Sequence, residues 1–177
     1  MNERISRDEM LMRMAVVVSN RGTCTRAYVG AVIAREGRVI STGYVGAPSG
    51  LPHCLDVGDE IGPDGGCART VHAEANAIAF AARSGTSTEG AELYCTHEPC
   101  LKCAQLIINS GITRVVYENP YRIHDGLALL ESAGIDVEQL PAPELVPGHV
   151  SRSQLTEARG PLITNDPDDD DQYRKVN

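Results

Sequence analysis

Aromatic residues and positive charge are both scarce in this chain of 177 residues. Trp is absent, Phe occurs once, and 16 Lys and Arg face 24 Asp and Glu, which gives a net charge of −8. A protein that holds a nucleic-acid strand needs a basic surface and aromatic side chains on which bases stack. The composition therefore argues against a nucleic-acid polymer as partner, and it is compatible with a single bound nucleotide.

Long apolar runs are also lacking. No run approaches the roughly 20 apolar residues that span a bilayer, and Met1-Asn2-Glu3-Arg4 lacks the apolar stretch of a secretory signal. We therefore expect no membrane association and a cytosolic protein, or one in the host cytoplasm if a phage encodes it. Because cytosolic reductants keep thiols reduced, the six cysteines are expected to be metal ligands or free thiols, with Cys95 a small buried residue.

The apolar pattern predicts helices that alternate with strands after an initial hairpin. Ser6-Arg7-Asp8-Glu9 resembles a capping box ahead of the first helix, and Glu36-Gly37 supplies the hairpin turn. The predicted helices cover 7–20, 71–83, 100–110 and 125–133, and the predicted strands cover 28–34, 38–44, 91–96, 113–117 and 135–140. This order predicts a three-layer α/β fold with a mixed five-stranded sheet between helices.

Two stretches depart from the alternating pattern. Residues 45–70 are rich in glycine and proline and are predicted to form a long loop of the kind that carries function. Residues 1–140 are predicted to form one catalytic domain. Residues 141–177 are predicted to be an acidic, proline-containing extension that is partly disordered, because their charges repel and few apolar anchors are present.

Two short motifs at predicted helix starts indicate a catalytic zinc site. They are His72-Ala73-Glu74 and Pro99-Cys100-Leu101-Lys102-Cys103, a combination typical of zinc-dependent nucleobase deaminases. His72, Cys100 and Cys103 would hold the ion, and the positive end of a helix favours the thiolate form of the cysteines. A structural zinc normally has a fourth protein ligand, so three ligands leave a position open for the water that a catalytic zinc activates.

Glu74 is the predicted proton carrier of this site. It is too close along a helix to His72 to share the ligand role, and it is near enough to take a proton from water and return it to the substrate. Each motif alone has an ordinary explanation, since His-x-Glu can be a surface pair and Cys-x-x-Cys can be a redox pair or half of a zinc knuckle. Their combination favours the catalytic interpretation.

Four other residues are candidates for a second, structural zinc. Cys24, Cys54, Cys67 and His97 together offer a complete tetrahedral donor set, and His53 is as good a candidate as His97. Such an ion would hold the long loop of residues 45–70, which has little core of its own. The alternative is that these residues bind no metal.

Larger segments of the chain resemble the deoxycytidylate (dCMP) deaminases, most closely their bacterial and phage members. The resemblance spans roughly residues 6–140 and rests on the segments 24–32, 41–50, 71–78 and 96–104. It implies the cytidine-deaminase fold, conversion of dCMP to dUMP with release of ammonia, and supply of precursor for thymidylate synthesis. It also implies a hexamer that dCTP activates and dTTP inhibits.

The chain departs from the family at Val45, where members usually carry Asn in a Gly-Tyr-Asn-Gly segment. A valine deletes a polar contact from the nucleotide pocket, so a 5-substituted dCMP or another cytosine nucleotide is an alternative substrate. Tyr121 is a candidate for stacking on the pyrimidine, and Arg26, Arg122 and His124 are candidates for binding the phosphate. The complete predicted substrate set is Arg26, Val45, Ala73, Tyr121, Arg122 and His124.

Two other functions use the same motifs. A tRNA or single-stranded DNA deaminase shares the zinc chemistry, but the acidic and aromatic-poor composition argues against it. A non-catalytic zinc module needs no acid beside an open coordination position, so Glu74 argues against that alternative.

Overall fold

The computed structural model describes residues 4–63, 65–121 and 124–140. Its elements are α1 (Arg7–Ser19), β1 (Gly30–Arg35), β2 (Arg38–Tyr44), α2 (Cys54–Val57), α3 (Ala73–Arg83), β3 (Glu92–His97), α4 (Leu101–Asn109), β4 (Arg114–Asn119), α5 (Asp125–Ser132) and β5 (Asp136–Gln139). Within these ranges, no helix is both long and apolar enough to cross a membrane. The predicted extension at 141–177 lies outside the described residues.

One mixed sheet of five strands organises the fold, in the order β2-β1-β3-β4-β5. β1 is antiparallel to both β2 and β3, whereas β3, β4 and β5 are mutually parallel neighbours. Parallel strands need a crossover connection, and α4 and α5 provide the two crossovers here. The predicted mixed five-stranded sheet is confirmed.

The side chains of β1 alternate between two cores, one on each face of the sheet. Ala31 and Ile33 join a core that α3, α4 and α5 share, whereas Val32 and Ala34 face a core with Leu11, Met12 and Ala15 of α1. The sheet is thus covered on both faces, which is the predicted three-layer arrangement. Cys95 is fully buried in the first of these cores, as predicted.

The structure differs from the predictions at the starts of α3 and α4, and the predicted capping box of α1 forms only in part. Ser6 caps α1 by accepting a hydrogen bond from the Glu9 backbone N–H at 3.0 Å, but the Glu9 carboxylate pairs with Arg13, so only half of the capping box forms. α3 begins at Ala73 and α4 at Leu101, because His72 and Cys100 are N-cap residues with extended backbones. The short helix α2 lies inside the predicted long loop and was not predicted.

The start of α3 lies very close to β2. A Cβ atom at Gly43 would collide with the carbonyl oxygen of Ala73 and the amide nitrogen of Ala77, so only glycine permits this approach. Two residues earlier on β2, the Ser41 hydroxyl donates a hydrogen bond to the carbonyl oxygen of Ala77 at 2.6 Å. These contacts fix the position of the turn that precedes α3 relative to the sheet.

A partly buried arginine ties α1 to the parallel strands. The Arg114 guanidinium on β4 contacts Asp8 of α1 at 2.8 Å, and it also pairs with carboxylates on the two neighbouring parallel strands, β3 and β5: Glu92 at 3.0 Å, Glu138 at 2.6 Å and Asp136 at 3.4 Å. The Tyr94 hydroxyl donates to Asp8 at 2.7 Å. The hydrogen bonds from Arg114 lower the pKa of Asp8.

We predict that Arg114→Leu destabilises the protein by about 2 kcal/mol at neutral pH, because it leaves several carboxylates facing one another without a cation. A carboxyl with a lowered folded-state pKa contributes stability above its unfolded value, and that contribution is lost as the pH falls below about 4. The gap between wild type and variant should therefore narrow from pH 7 to pH 3. Urea denaturation at several pH values measures it, and a gap that is constant with pH would contradict the prediction.

Candidate active site

Four strand ends meet at one edge of the sheet. β3 and β4 run parallel and end at the paired residues His97 and Asn119, while β1 begins and β2 ends at the pair Gly30 and Tyr44. The Asn119 side-chain amide donates to the carbonyl oxygen of Thr96 at 2.8 Å, which ties the ends of β3 and β4 together. The segments that leave this edge are the ones that carry the predicted site residues.

The three predicted zinc ligands, His72, Cys100 and Cys103, lie together at this edge. Nδ1 of His72 is 3.5 Å from Sγ of Cys100 and 3.5 Å from Sγ of Cys103, and the three donor atoms lie within 4.8 Å of one another. His72 is the N-cap of α3 and Cys100 the N-cap of α4, and neither side chain caps its own helix. Two sulfurs and one imidazole nitrogen are a donor set that zinc binds.

The electrostatics of the cluster favour a thiolate before any cation binds. Hydrogen bonds from Cys103 and from His72 lower the pKa of Cys100 to about 3. The hydrogen bond between Cys103 and Cys100 is the main cause that raises the pKa of Cys103, and the hydrogen bond between His72 and Cys100 is the main cause that raises the pKa of His72. The cluster therefore contains a negative Cys100 sulfur beside the Cys103 thiol and an imidazole. A divalent cation that binds there displaces the proton of the Cys103 thiol.

Glu74 lies beside this cluster in the first turn of α3. Glu74 is only 3% exposed, and burial raises the pKa of its carboxyl group. The nearby His72 and a hydrogen bond from Cys103 act in the opposite direction. A buried carboxyl group whose pKa is shifted toward neutrality can both accept and donate a proton, which is the property required of a general acid and base.

A second cluster of metal-binding side chains lies in the loop between β2 and α3. Sγ of Cys54 is 3.6 Å from Sγ of Cys67, and a carboxylate oxygen of Asp59 lies within 4.8 Å of both sulfurs. Asp59 was not predicted, because acidic loop residues carry no signal of their own in the sequence. Its carboxylate accepts a hydrogen bond from the Thr25 hydroxyl at 2.6 Å.

The other predicted members of the second set lie around this cluster. Among the described residues, Cys24 and His97 fall outside the group that Cys54, Asp59 and Cys67 form. Cys24 is buried and close enough to Cys54 to raise its pKa electrostatically, although burial is the main cause of that shift. Nδ1 of His53 is buried and has no hydrogen-bond partner in the described part of the chain.

The predicted substrate residues take different positions around the edge. Val45 is 5% exposed. Its backbone N–H donates a hydrogen bond to the carbonyl oxygen of Val29, and its carbonyl oxygen accepts one from the backbone N–H of Thr23. The Arg26 guanidinium donates to the carbonyl oxygen of Gly65 at 2.9 Å, so the long loop holds it. Ala73 is fully buried at the first position of α3. Arg122 lies outside the described residues.

Tyr121 and His124 are both hydrogen bonded to Glu98, a residue that the sequence motifs did not single out. Glu98 lies between β3 and the Pro99-Cys100 turn and is 2% exposed. Its position directly before Pro99 is visible in the sequence, but the depth at which its carboxylate is buried is not. Asn76 was also missed, and its side-chain amide donates to the carbonyl oxygen of Tyr44 at 2.7 Å.

Comparisons with known proteins agree with this geometry. Residues 5–119 match the family described as the cytidine and deoxycytidylate deaminase zinc-binding region. ComE operon protein 2 of Bacillus subtilis is 41% identical over 159 residues, which cover 89% of this chain and 84% of that protein. Deoxycytidylate deaminase of enterobacteria phage T4 is 34% identical over 174 residues, covering 76% of this chain and 90% of the phage enzyme.

A solved structure extends the comparison to three dimensions. The dCMP deaminase of cyanophage S-TIM5, in complex with dCMP and dUMP, superposes with a TM-score of 0.69 at 35% identity and covers 78% of this chain and 100% of that one. The fold and the donor cluster define a zinc-dependent deaminase of the cytidine-deaminase type. The chain belongs to the cytidine and deoxycytidylate deaminase family.

We predict that His72→Ala and Cys103→Ser each remove one zinc per chain, because each leaves only two donors for the ion. Cys95→Ala is the matched control, since Cys95 is buried on β3 outside both clusters. Elemental analysis of purified protein measures the zinc content. Equal zinc content in wild type, Cys103→Ser and Cys95→Ala would contradict the assignment of these ligands.

Proposed function

We propose that the protein catalyses the hydrolytic deamination of dCMP to dUMP and ammonia, and that it thereby supplies precursor for thymidylate synthesis. The observation that carries the proposal is a buried Glu74 with a raised pKa beside a cluster of three donors, His72, Cys100 and Cys103. The named activities of the phage T4 enzyme and of the cyanophage enzyme with bound dCMP and dUMP support the choice of substrate.

In the proposed reaction, Glu74 moves the protons. Zinc, when bound by His72, Cys100 and Cys103, acts as a Lewis acid that makes water nucleophilic near neutral pH. The Glu74 carboxylate takes a proton from the attacking water and delivers it to the ring nitrogen beside C4. A second transfer through Glu74 gives the leaving amino group the proton it needs to depart as ammonia. The bond from C4 to nitrogen breaks and a bond from C4 to oxygen replaces it.

The burial of Glu74 and its position on α3 both serve this role. A carboxylate with an ordinary pKa would hold its proton too weakly at neutral pH to return it to the pyrimidine, and the desolvated site corrects this by raising the pKa. Attachment to the first turn of α3 fixes the carboxylate relative to His72, since both belong to the same turn. The acid and the ligand cluster are therefore positioned by a single element.

We predict that Glu74→Gln lowers kcat for dCMP by about 10²- to 10⁴-fold while zinc content is unchanged, because the amide cannot carry the proton. The decrease of cytosine absorbance in the ultraviolet measures the rate, and Glu131→Gln, at an exposed position of α5, is the matched control. A Glu74→Gln enzyme as active as wild type would contradict the mechanism.

The same assay separates the substrate alternatives that Val45 leaves open. Wild type should convert dCMP with a higher kcat/KM than deoxycytidine, dCTP or 5-substituted dCMP. A higher kcat/KM for the 5-substituted nucleotide would make the alternative substrate the correct one, and Val45→Asn should then shift the preference toward dCMP. Conversion of a base in tRNA or single-stranded DNA but not of free nucleotides would favour a polymer deaminase.

We also propose a structural zinc in the second cluster. Cys54 and Cys67 provide two sulfurs at 3.6 Å, and the predicted set adds Cys24 and His97. The adjoining Asp59 and Nδ1 of His53, which has no hydrogen-bond partner among the described residues, are further donors within the same loop region. An ion here would hold a loop whose described residues contribute few side chains to the two cores.

We predict that Cys54→Ser removes this second zinc and leaves the catalytic one, so that the content falls from two ions per chain to one. The melting temperature should fall by several degrees, because bound metal stabilises the folded state. Elemental analysis and calorimetry measure the two effects. A wild-type content of one zinc per chain would contradict the structural site.

Regulation, assembly and location remain predictions. The resemblance predicts a hexamer that dCTP activates and dTTP inhibits. The cytosol, or the host cytoplasm for a phage-encoded chain, is the predicted location, and the six free cysteines among the described residues are compatible with it.

A further inference from the structure

Glu98 is a buried carboxylate that the proposed chemistry does not use. It is 2% exposed, lies one residue after the end of β3, and immediately precedes Pro99 and the ligand Cys100. A carboxylate this deeply buried is costly unless it is hydrogen bonded or paired. Among the described residues, its side-chain hydrogen-bond partners all belong to one stretch of chain, the segment between β4 and α5.

The side chain of Glu98 holds that segment at two points. One carboxylate oxygen, Oε2, accepts a hydrogen bond from the Tyr121 backbone N–H at 3.1 Å and lies 2.8 Å from Nδ1 of His124. The second oxygen lies 3.1 Å from the same nitrogen, so the imidazole is shared by both oxygens. The backbone N–H of Glu98 donates to the carbonyl oxygen of Asn119 at 2.9 Å, which extends the contact to the end of β4.

The start of α5 packs against the same turn. Gly126 is buried, and a Cβ atom there would collide with the carbonyl oxygen of Pro99 and press on the backbone of Cys100. The first turn of α5 therefore touches the peptide that carries a ligand of the metal cluster. Glu98 and Gly126 together hold Tyr121, His124 and the start of α5 against the Pro99-Cys100 turn.

We propose that Glu98 is a positioning residue for nucleotide binding: by holding Tyr121 and His124, it orders the side of the site where the pyrimidine nucleotide lies. This inference rests on the proposed deaminase function. It also changes the expected role of His124, which acts through Glu98 and not by meeting the phosphate itself.

The proposal separates binding from chemistry. The ligands and Glu74 are carried by the starts of α3 and α4, whereas Glu98 contacts Tyr121 and His124, which precede α5. Loosening these two contacts adds an ordering cost that is incurred when the nucleotide binds, and it leaves the proton carrier in place. The effect should therefore appear in KM and in the affinity for dUMP, with little change in kcat.

The test compares Glu98→Gln with wild type and with Glu131→Gln, which makes the same charge change at an exposed position on α5. We expect KM for dCMP to rise about tenfold, kcat to stay within about twofold, and zinc content to be unchanged. Hydrogen exchange at the Tyr121 amide should become faster in Glu98→Gln only, because its acceptor is weakened. Calorimetric titration with dUMP should show a matching loss of affinity.

His124→Ala provides a second variant that does not threaten the core, since the His124 side chain is 66% exposed. If His124 acts through Glu98, Glu98→Gln combined with His124→Ala should raise KM no more than the larger single change. Multiplied effects would assign His124 a direct contact with the nucleotide and overturn the proposed coupling.

Other outcomes also overturn the inference. An unchanged KM together with unchanged Tyr121 exchange in Glu98→Gln would show that the contact positions nothing. Loss of zinc with a fall in kcat would show that Glu98 serves the ligand turn instead. A wild-type protein inactive on dCMP would defeat the proposed function, and with it the nucleotide part of this inference, while the exchange measurement would still decide the anchoring contact.

Discussion

Two helix N-termini meet at one edge of the sheet, and the position of every proposed catalytic group depends on that meeting. At an N-cap, a side chain ordinarily accepts a hydrogen bond from the first turn of its own helix. His72 and Cys100 occupy N-caps and do not do so. Their side chains turn toward each other and toward Cys103, and the positive ends of both helices stabilise the negative sulfur between them. These two N-cap side chains contribute to a site shared by both helices, and they do not cap their own helices.

The shared site is stable because contacts with β2 and with the core hold the two helix starts in place. Gly43 and Ser41 hold α3 against β2, and Ala104 and Ile107 bury one side of α4 in the core beneath it. The sheet therefore sets the distance between the N-caps His72 and Cys100, which lie 28 residues apart in the chain. A cluster built on such supports is ordered before the ion arrives, which reduces the ordering cost of binding it.

Much of this arrangement could be predicted from the sequence, and the exceptions share a physical reason. The strands and helices follow from apolar periodicity. His72 follows from the His-x-Glu motif, and Cys100 and Cys103 follow from a Cys-x-x-Cys motif whose spacing is set by one helix turn. Asp59, Asn76 and Glu98 could not be predicted. Each acts through a contact with a distant part of the chain, and nothing in the local pattern around an acidic or amide residue indicates which distant group it will contact.

The helix α2 lies within the segment predicted to be a loop, for a different reason. It is a single turn of four residues that begins at Cys54, and so short a helix has no periodicity to detect. The sulfur of its first residue lies 3.6 Å from that of Cys67, much as α3 and α4 begin beside the cluster of His72, Cys100 and Cys103. Beyond the sheet edge, where the apolar cores end, polar contacts hold the chain in place. The loop after β2 uses sulfurs and Asp59, and the segment after β4 uses the buried carboxylate of Glu98. The cores thus determine the fold, whereas these polar anchors determine the shape of the site.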